Sequence, residues 1–238
     1  MEILHLDTIE STNDFVRKEN LCDVVVYAGN QTKGRGQRGN TWQSEPNKNL
    51  TFSFAVQPTF LDASRQFEMS MIVSLAVVDT LSIFGIDSTI KWPNDIYVGD
   101  KKIAGILIEN EIVGNGKFSR CLVGIGLNVN QKSFSEDIPN PISMKQSAGS
   151  IFDILEVLEE FIDAFKKRYA QLKENSSKAI LDKYTSLLFR RGEFYEFSDK
   201  EGSFKGKILG VGDYGVLLIQ RQDNTISEYQ FKEVAYII

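Results

Sequence analysis

STIKWPNDIYVGDKKIAGILIENEIVGNGKFSRCLVGIGLNVN, residues Ser88–Asn130, carries the alternation and turn signals from which the fold class follows. "STIKW" ends at Pro93, "DIYV" turns at Gly99 and Asp100 into "KKIAGILIENEI", and Gly114–Gly116 turns the chain into "FSRCLVGIGLNVN". This is the pattern of an antiparallel meander. Successive strand side chains point to opposite faces, so Val123, Ile125, Leu127 and Val129 share one face while Gly124, Gly126, Asn128 and Asn130 share the other. The first face suits a core. The second has been emptied, and glycines alternating on one strand face mean that something approaches the backbone there, either a ligand or a closely packed helix.

Upstream, "EILHLD" reads as a short strand, and Ser11 or Thr12 caps the helix of "STNDFVRKEN". "DVVVYAG" is a β-branched strand that leads directly into the glycine-rich stretch "QTKGRGQRGNTW", Gln31–Trp42, and "NLTFSFAVQP" is a strand closed by Pro58. A core helix is expected from Ser64, with Phe67, Met71, Leu75, Val78 and Leu81 at helical spacing and Gly85 as its C-terminal cap. Downstream, Gln131–Gly149 reads as a loop, and Ser150 with Asp153 as a capping pair for a long amphipathic helix carrying Ile154, Leu155, Leu158, Ile162, Phe165 and Tyr169. A second helix is expected over Lys178–Phe189. From Arg190 the pattern changes to short strands with glycine turns, which predicts a small β-barrel and a division of the chain into 1–189 and 190–238.

The 238 residues, 42% of them hydrophobic, are enough for a sizeable core. A net charge of −5 and a pI near 5.1 argue against a surface built to coat nucleic acid, so any anion site must be local. Cys22 and Cys121 match neither a metal spacing nor a disulfide framework, which points to a reducing, cytoplasmic setting. The N-terminus lacks a basic segment followed by an apolar one, and the most apolar stretch, Met71–Ile86, is interrupted by Asp79 and serines, so no membrane segment is expected. His5 is the single histidine, which leaves little basis for a histidine-centred mechanism.

Within Gln31–Trp42, Gly34, Gly36 and Gly39 permit backbone conformations that expose N–H groups, while Lys33, Arg35 and Arg38 bring positive charge. Such a loop suits a phosphate or a carboxylate, although a solvated basic loop has the same composition. It has neither the GKS or GKT ending of a P-loop nor the GxGxxG order of a dinucleotide fold. In a second cluster, Pro93 ends a strand so that Asn94 and Asp95 fall in a tight bend, with Lys102 across the Gly99–Asp100 hairpin. An ordinary charged hairpin would read the same way; the combination of the two clusters is the informative feature.

Together "ESTN", "QTKGRGQRGNTW", "KWPNDIYVGDKKIAGILIE" and "GIGLNVN", in this order and spacing, closely resemble the biotin protein ligases over Met1–Asn130. The resemblance implies an α+β fold like the catalytic domain of class II aminoacyl-tRNA synthetases, a mostly antiparallel sheet flanked by helices, with a small C-terminal β-barrel. It implies a two-step reaction: biotin and Mg²⁺-ATP give biotinyl-5′-AMP, and a lysine of a biotin carboxyl carrier domain then takes the biotin as an amide. Carried onto this sequence, the family pattern places Ser11, Thr12, Asn13 and Gln31 at the polar end of biotin. Gly124 and Gly126 leave room for its rings, and Arg35, Gly36 and Gln37 close over the intermediate. Lys102 is the implied main catalytic residue, with Arg35, steadying charge at the carboxylate and α-phosphate. Arg38, Trp42, Asn94, Asp95 and Asn128 are implied for the nucleotide, with Trp42 stacking on adenine and Asn94 and Asp95 near the metal; no carboxylate cluster names the Mg²⁺ ligands. One departure stands out: many relatives carry a second arginine where this chain has Gln37, which predicts faster release of the intermediate.

Lipoate ligases and octanoyl transferases share the fold and also modify carrier lysines, but KWPND with its following lysine favours biotin. Some family members carry an N-terminal helix-turn-helix; here only Met1–Glu10 precede Ser11, so that module is expected to be absent and DNA binding is not expected. A nucleic-acid-binding module using the basic loop would predict salt-dependent binding without turnover. An exposed edge strand could pair two monomers into a homodimer or receive the carrier domain.

Overall fold

The computed structural model describes residues 1–114 and 116–238, without the side chain of Arg38. The strands are β1 (Glu2–Ile9), β2 (Val24–Gln31), β3 (Leu50–Val56), β4 (Thr89–Lys91), β5 (Asp95–Val98), β6 (Lys101–Ile112), β7 (Phe118–Leu127), β8 (Phe194–Asp199), β9 (Gly202–Val211), β10 (Leu217–Arg221), β11 (Ile226–Tyr229) and β12 (Ala235–Tyr236). The helices are α1 (Thr12–Lys18), α2 (Phe67–Ile83), α3 (Met144–Ala148), α4 (Ile154–Lys173) and α5 (Ser177–Ser186). The first seven strands form one sheet in the order β1-β2-β3-β7-β6-β5-β4, antiparallel except for the β1–β2 pair. The meander read from Ser88–Asn130 is therefore its β4–β7 half. The turn at Gly114–Gly116 includes Asn115, which lies outside the described residues.

β3, central in the sheet, is buried along its whole length, with helices on one face and α1 over part of the other. On one face α2 and α4 pack as a layer: Phe52 and Phe54 meet Phe161 and Phe165 edge-on at 4.9 and 4.8 Å between ring centres. The segment Ala63–Ile83 is long and apolar enough to cross a membrane, but 67% of that stretch is buried as this core layer. On the opposite face α1 covers Val26, Ala55 and Leu122 with Val16. Buried Arg120 anchors α1 there, donating to the carbonyls of Val16 and Leu21 at the helix's C-terminal end at 2.6 and 2.9 Å. Because α1 has only seven residues, it leaves the rest of that face open. This uncovered area, floored by Ser53, Gly105, Gly124 and Gly126, is where a site can form.

Several boundaries differ from the sequence reading. Ser64 lies in a 3-10 turn over Ala63–Arg65, and α2 begins at Phe67. Its expected cap holds: Gly85, at φ +71°, lets Ile86 N–H reach Leu81 O at 2.9 Å and Gly85 N–H reach Ser82 O at 3.0 Å, a Schellman closure. Asp153 alone caps α4, accepting from Leu155 and Glu156 N–H, and Ser150 has no part in the cap. The stretch expected as loop contains α3, closed by a reciprocal capping box between Ser143 and Gln146. The second helix runs over Ser177–Ser186, shorter than expected.

The C-terminal strands form an antiparallel sheet in the order β11-β10-β9-β8-β12. Pairing runs from β11 to β12 without a ladder joining these two outer strands. Phe197, Ile208, Leu217 and Ile219 belong to the same apolar cluster as the main core. Gly215 is seated against Phe67, where a Cβ would meet the ring at 2.4 Å, and its carbonyl accepts from Trp92 Nε1 at 2.9 Å.

Candidate active site

The open end of the sheet holds a cavity of about 430 Å³. Its lining gathers Ser11, Thr12 and Asn13 from the start of α1, Gln31 from the end of β2, Arg35, Gly36, Gln37 and Trp42 from the glycine-rich segment, Asn94 and Asp95 from the bend after Pro93, Lys102 from β6, and Gly124 and Gly126 from β7. Residues far apart in the chain meet because β3, β7, β6 and β5 are neighbours in the sheet.

Ser11 caps α1 through its hydroxyl, and this fixes the next two residues over the floor. Thr12 donates from its N–H and hydroxyl to Gln31 Oε1 at 2.7 and 3.1 Å and contacts Ser53 Oγ at 2.8 Å. Asn13 Nδ2 is buried with no hydrogen-bond partner among the described residues, as is Trp42 Nε1. Buried donors are rarely left unpaired, and at a cavity wall an ordered water or a ligand acceptor can serve them. The two glycines of β7 serve different neighbours. A Cβ on Gly124 would meet Asn13 Nδ2 at 3.1 Å and Ser53 Oγ at 3.3 Å, whereas one on Gly126 would overlap the Trp42 indole at 2.2 Å. The space expected at Gly126 for a ligand ring is thus taken by Trp42, which lies across the paired Gly105 and Gly126.

A bulge places Lys102. Strict alternation would put it on the helix-covered face with Ala104 and Ile106, but the β5–β6 register shifts between Ile96 and Tyr97, pairing Ile96 with Ala104 and Tyr97 with Lys102. The extra residue, Ile103, returns Lys102 to the face of Gly105 and Asp95. Lys102 Nζ is 2.7 Å from Asp95 Oδ1 and 5.8 Å from the centre of the Trp42 ring. Asn94 is tied into the bend, its amide donating to Ile106 O at 2.5 Å.

The glycine-rich segment folds as a short hairpin. Trp42 N–H donates to Gly34 O at 2.9 Å and Gly36 N–H to Asn40 O at 2.7 Å, and the tip is a 3-10 turn over Gln37–Gly39. Gly34 is required by close approach, since a Cβ would lie 2.4 Å from Trp42 O; Gly39 sits at φ +88°. Of the three glycines, Gly36 uses its N–H within the hairpin while Gly34 takes part through its carbonyl, and Arg35 brings positive charge from a side chain. Arg35 Nη1 lies 2.6 Å from Asp14 Oδ1 and Nη2 lies 3.3 Å from Glu109 Oε1. Burial works against its charge, but Glu109 and Asp14 outweigh it and raise its pKa.

Two expected residues stand apart. Asn128 is outside the cavity lining; its amide donates to Ile142 O at 3.0 Å and holds the segment before α3, a position that does not support a nucleotide contact. The side chain of Arg38 lies outside the described residues. Other lining residues went unread. Ser53 was legible in principle, as a polar residue on the same strand face as Thr51. The wall formed by Phe231, Lys232, Val234, Ala235 and Tyr236 carries no local signal. Lys91, opposite Asp95 in the β4–β5 ladder, donates to Tyr97 OH at 3.1 Å; burial lowers its pKa against the pull of Asp95, and Lys102 and Arg190 add to the lowering.

The cavity therefore presents Arg35, Lys91, Lys102 and Lys232 around one carboxylate, Asp95, with polar donors at one end. It suits an anion attached to an uncharged polar group. The sequence model of the biotin/lipoate A/B protein ligase family matches residues 6–128, the stretch that builds most of this site. The chain belongs to this family.

Among its ligase relatives, the bifunctional ligase/repressor BirA of Bacillus spizizenii is 29% identical over 231 residues, which cover 93% of this chain and 70% of that protein. The biotin–[acetyl-CoA-carboxylase] ligase of Paracoccus denitrificans is 28% identical over 82% of this chain and 83% of that protein. In three dimensions the chain is similar to the Aquifex aeolicus biotin protein ligase in complex with biotin and ATP, with a TM-score of 0.84 and 29% identity over 98% of this chain and 97% of that one.

Proposed function

We propose that the protein is an ATP-dependent biotin–protein ligase. A biotin carboxylate oxygen attacks the α-phosphorus of ATP and the bond to pyrophosphate breaks, giving biotinyl-5′-AMP. The amine of an acceptor lysine then attacks the acyl carbon, and AMP leaves with the electrons of the acyl–oxygen bond. Bringing two anions together is the electrostatic obstacle in the first step, and preorganised cations at the point of charge build-up are the usual remedy. Lys102 carries this reading: a bulge turns it onto the glycine floor and Asp95 orients it at 2.7 Å.

In this assignment Asn13, Ser11, Thr12 and Gln31 hold the uncharged polar end of biotin, with the unpaired Asn13 Nδ2 supplying a hydrogen bond to its carbonyl oxygen. Gly124 keeps the floor beneath Asn13 low enough for the rings. Arg35, Gly36 and Gln37 cover the intermediate, and Trp42, seated on Gly105 and Gly126, offers its outer face to adenine. Asp95 is the only acid among the described lining residues, and no group of three His, Cys, Asp or Glu among the described residues could cage a metal. These residues suit a Mg²⁺ that enters on the phosphates of ATP, the way this cation is usually held. The acceptor is a lysine of a biotin carboxyl carrier domain, in keeping with a relative named for acetyl-CoA carboxylase, and the setting is cytoplasmic.

The test is the intact mass of a biotin carboxyl carrier fragment after incubation with the protein and Mg²⁺-ATP, in parallel with biotin, lipoate and octanoate. A gain with biotin alone, falling roughly 100-fold or more in rate with Lys102→Ala, is expected. A gain only with lipoate or octanoate would refute the biotin assignment.

A further inference from the structure

We propose that Glu109 is a positioning residue that sets two sides of the cavity at once. Through Arg35 it holds the glycine-rich hairpin closed, and through Arg17 it turns the Asn13 carboxamide so that the NH₂ group faces the ligand. The inference rests on the ligase reading for the identity of the ligand, but one of its two tests does not depend on it.

Glu109 lies on β6, on the face shared with Gly105 and Leu107, opposite Leu122. Its two oxygens are divided between two segments: Oε2 accepts from Arg17 Nη2 at 2.5 Å and Oε1 from Arg35 Nη2 at 3.3 Å. Asp14 takes the other nitrogen of each guanidinium, Arg35 Nη1 at 2.6 Å and Arg17 Nη1 at 3.2 Å. Two carboxylates and two guanidiniums thus form a closed ring that joins α1, the hairpin and the central sheet. Isolated surface ion pairs contribute little, and the hairpin's other pair, Lys33 with Glu10, is of that kind, with both side chains about 70% exposed. The ring differs because each member has two partners and Glu109 stands on the rigid part of the fold. Its side chain is 31% exposed.

The same Arg17 nitrogen lies 3.4 Å from Asn13 Oδ1. A guanidinium has donors and no acceptor, so it settles which end of the carboxamide faces it: the oxygen must. The NH₂ end is thereby directed the other way, over Gly124, where it is buried without a partner. A ligand atom meeting it must be an acceptor. Were Arg17 released, the carboxamide could rotate and offer either end, and the preference for an acceptor would weaken.

Glu109→Gln keeps the shape of the side chain but leaves one oxygen for two arginines and turns an NH₂ toward the other. Glu111→Gln serves as control, since Glu111 lies on the same strand and reaches Arg120 only at 4.0 Å. The first assay is limited trypsin digestion of the full chain without ligands, because the hairpin carries Lys33, Arg35 and Arg38. Cleavage there is expected to be roughly tenfold faster in Glu109→Gln and unchanged in the control. The second is biotin-dependent exchange of pyrophosphate into ATP. Glu109→Gln is expected to raise KM for biotin by about tenfold, and by about threefold or less once Asn13 is alanine, the remainder being the share that acts through Arg35 and the hairpin. Unchanged cleavage would overturn the hairpin role; a full multiplicative effect in the Asn13→Ala background would overturn the action through Asn13. Absence of exchange by the wild-type chain would refute the ligase reading instead, and the proposal would then be decided by the trypsin arm.

Discussion

If the bare strand face at Gly126 is a seat for Trp42, alanine there should unseat the indole and nothing else. The added Cβ would lie 2.2 Å from Trp42 Cε2, 2.5 Å from Nε1 and 2.6 Å from Cδ2. Carbon atoms rest at about 3.5 Å or more, so the ring must withdraw by about 1.3 Å. β7 cannot yield, because Gly126 is paired on both sides, with Thr51 of β3 and Gly105 of β6. The hairpin therefore moves. Overpacking of this kind costs about 1–3 kcal/mol, and here the cost falls on the seated form of the hairpin, not on the core, so Tm should stay within about 3 °C of wild type. The same energy raises KM for ATP by about tenfold or more if Trp42 stacks on adenine. Acrylamide quenching reads the displacement directly: Trp92 is 6% exposed and bonded to Gly215 O, so it gives a constant background, and any gain in quenching belongs to Trp42. Gly114→Ala, whose Cβ would meet nothing within 4 Å, is the control. Quenching and KM both unchanged in Gly126→Ala would refute the seat.

Gln37→Arg, adding a cation to the hairpin tip beside the cavity, is expected to slow dissociation of biotinyl-AMP, measured by chasing labelled intermediate; an unchanged rate would remove charge at this position as the cause of release. Burial pushes the Cys121 thiol from 9.0 to about 12 and the Tyr97 phenol from 10.0 to about 12. Both groups keep their protons longer when folded, so the stability they contribute is complete below about pH 9 and is lost as pH rises toward 12. Denaturation midpoints should fall across that range, and in the native protein at pH 8 a thiol reagent should modify Cys22 and leave Cys121 unmodified until unfolding. Gly215→Ala would place a Cβ 2.4 Å from the Phe67 ring, pushing the C-terminal sheet off α2, and should lower Tm by several degrees while raising KM through the displaced wall of Phe231–Tyr236. An unaltered Tm would show that this contact does not hold the C-terminal sheet against α2.

What could be read without coordinates was what neighbouring residues decide. The alternation along Phe118–Leu127, the Pro93 and Gly99 breaks, the helix starts near Ser11–Thr12 and Ser150–Asp153 and the Gly85 closure are all interactions within a few residues, so their signals survive in the one-dimensional order, although which residue caps each helix did not. Local patterning also marked the emptied face of Gly124 and Gly126, the cationic glycine-rich segment and the Asn94–Asp95–Lys102 hairpin, whereas Ser11, Thr12, Asn13, Gln31 and Trp42 were named through the resemblance of whole motifs to the biotin protein ligases. Other features depended on register and packing across the chain. The bulge that turns Lys102 onto the site face is a property of how β5 meets β6, and no residue in "KKIAG" announces it. That Gly126 receives an indole while Gly124 underlies an amide depends on a hairpin and on α1, both more than eighty residues upstream. The wall from Phe231 to Tyr236 and the ring of Asp14, Arg17, Arg35 and Glu109 join segments that share no local pattern. The sequence by itself determined most of the elements, the short α3 excepted, and which faces are apolar, since those follow from side-chain periodicity and turn chemistry. The tertiary structure alone decided which polar groups meet, because that depends on strand register and on the short reach of α1 across the sheet.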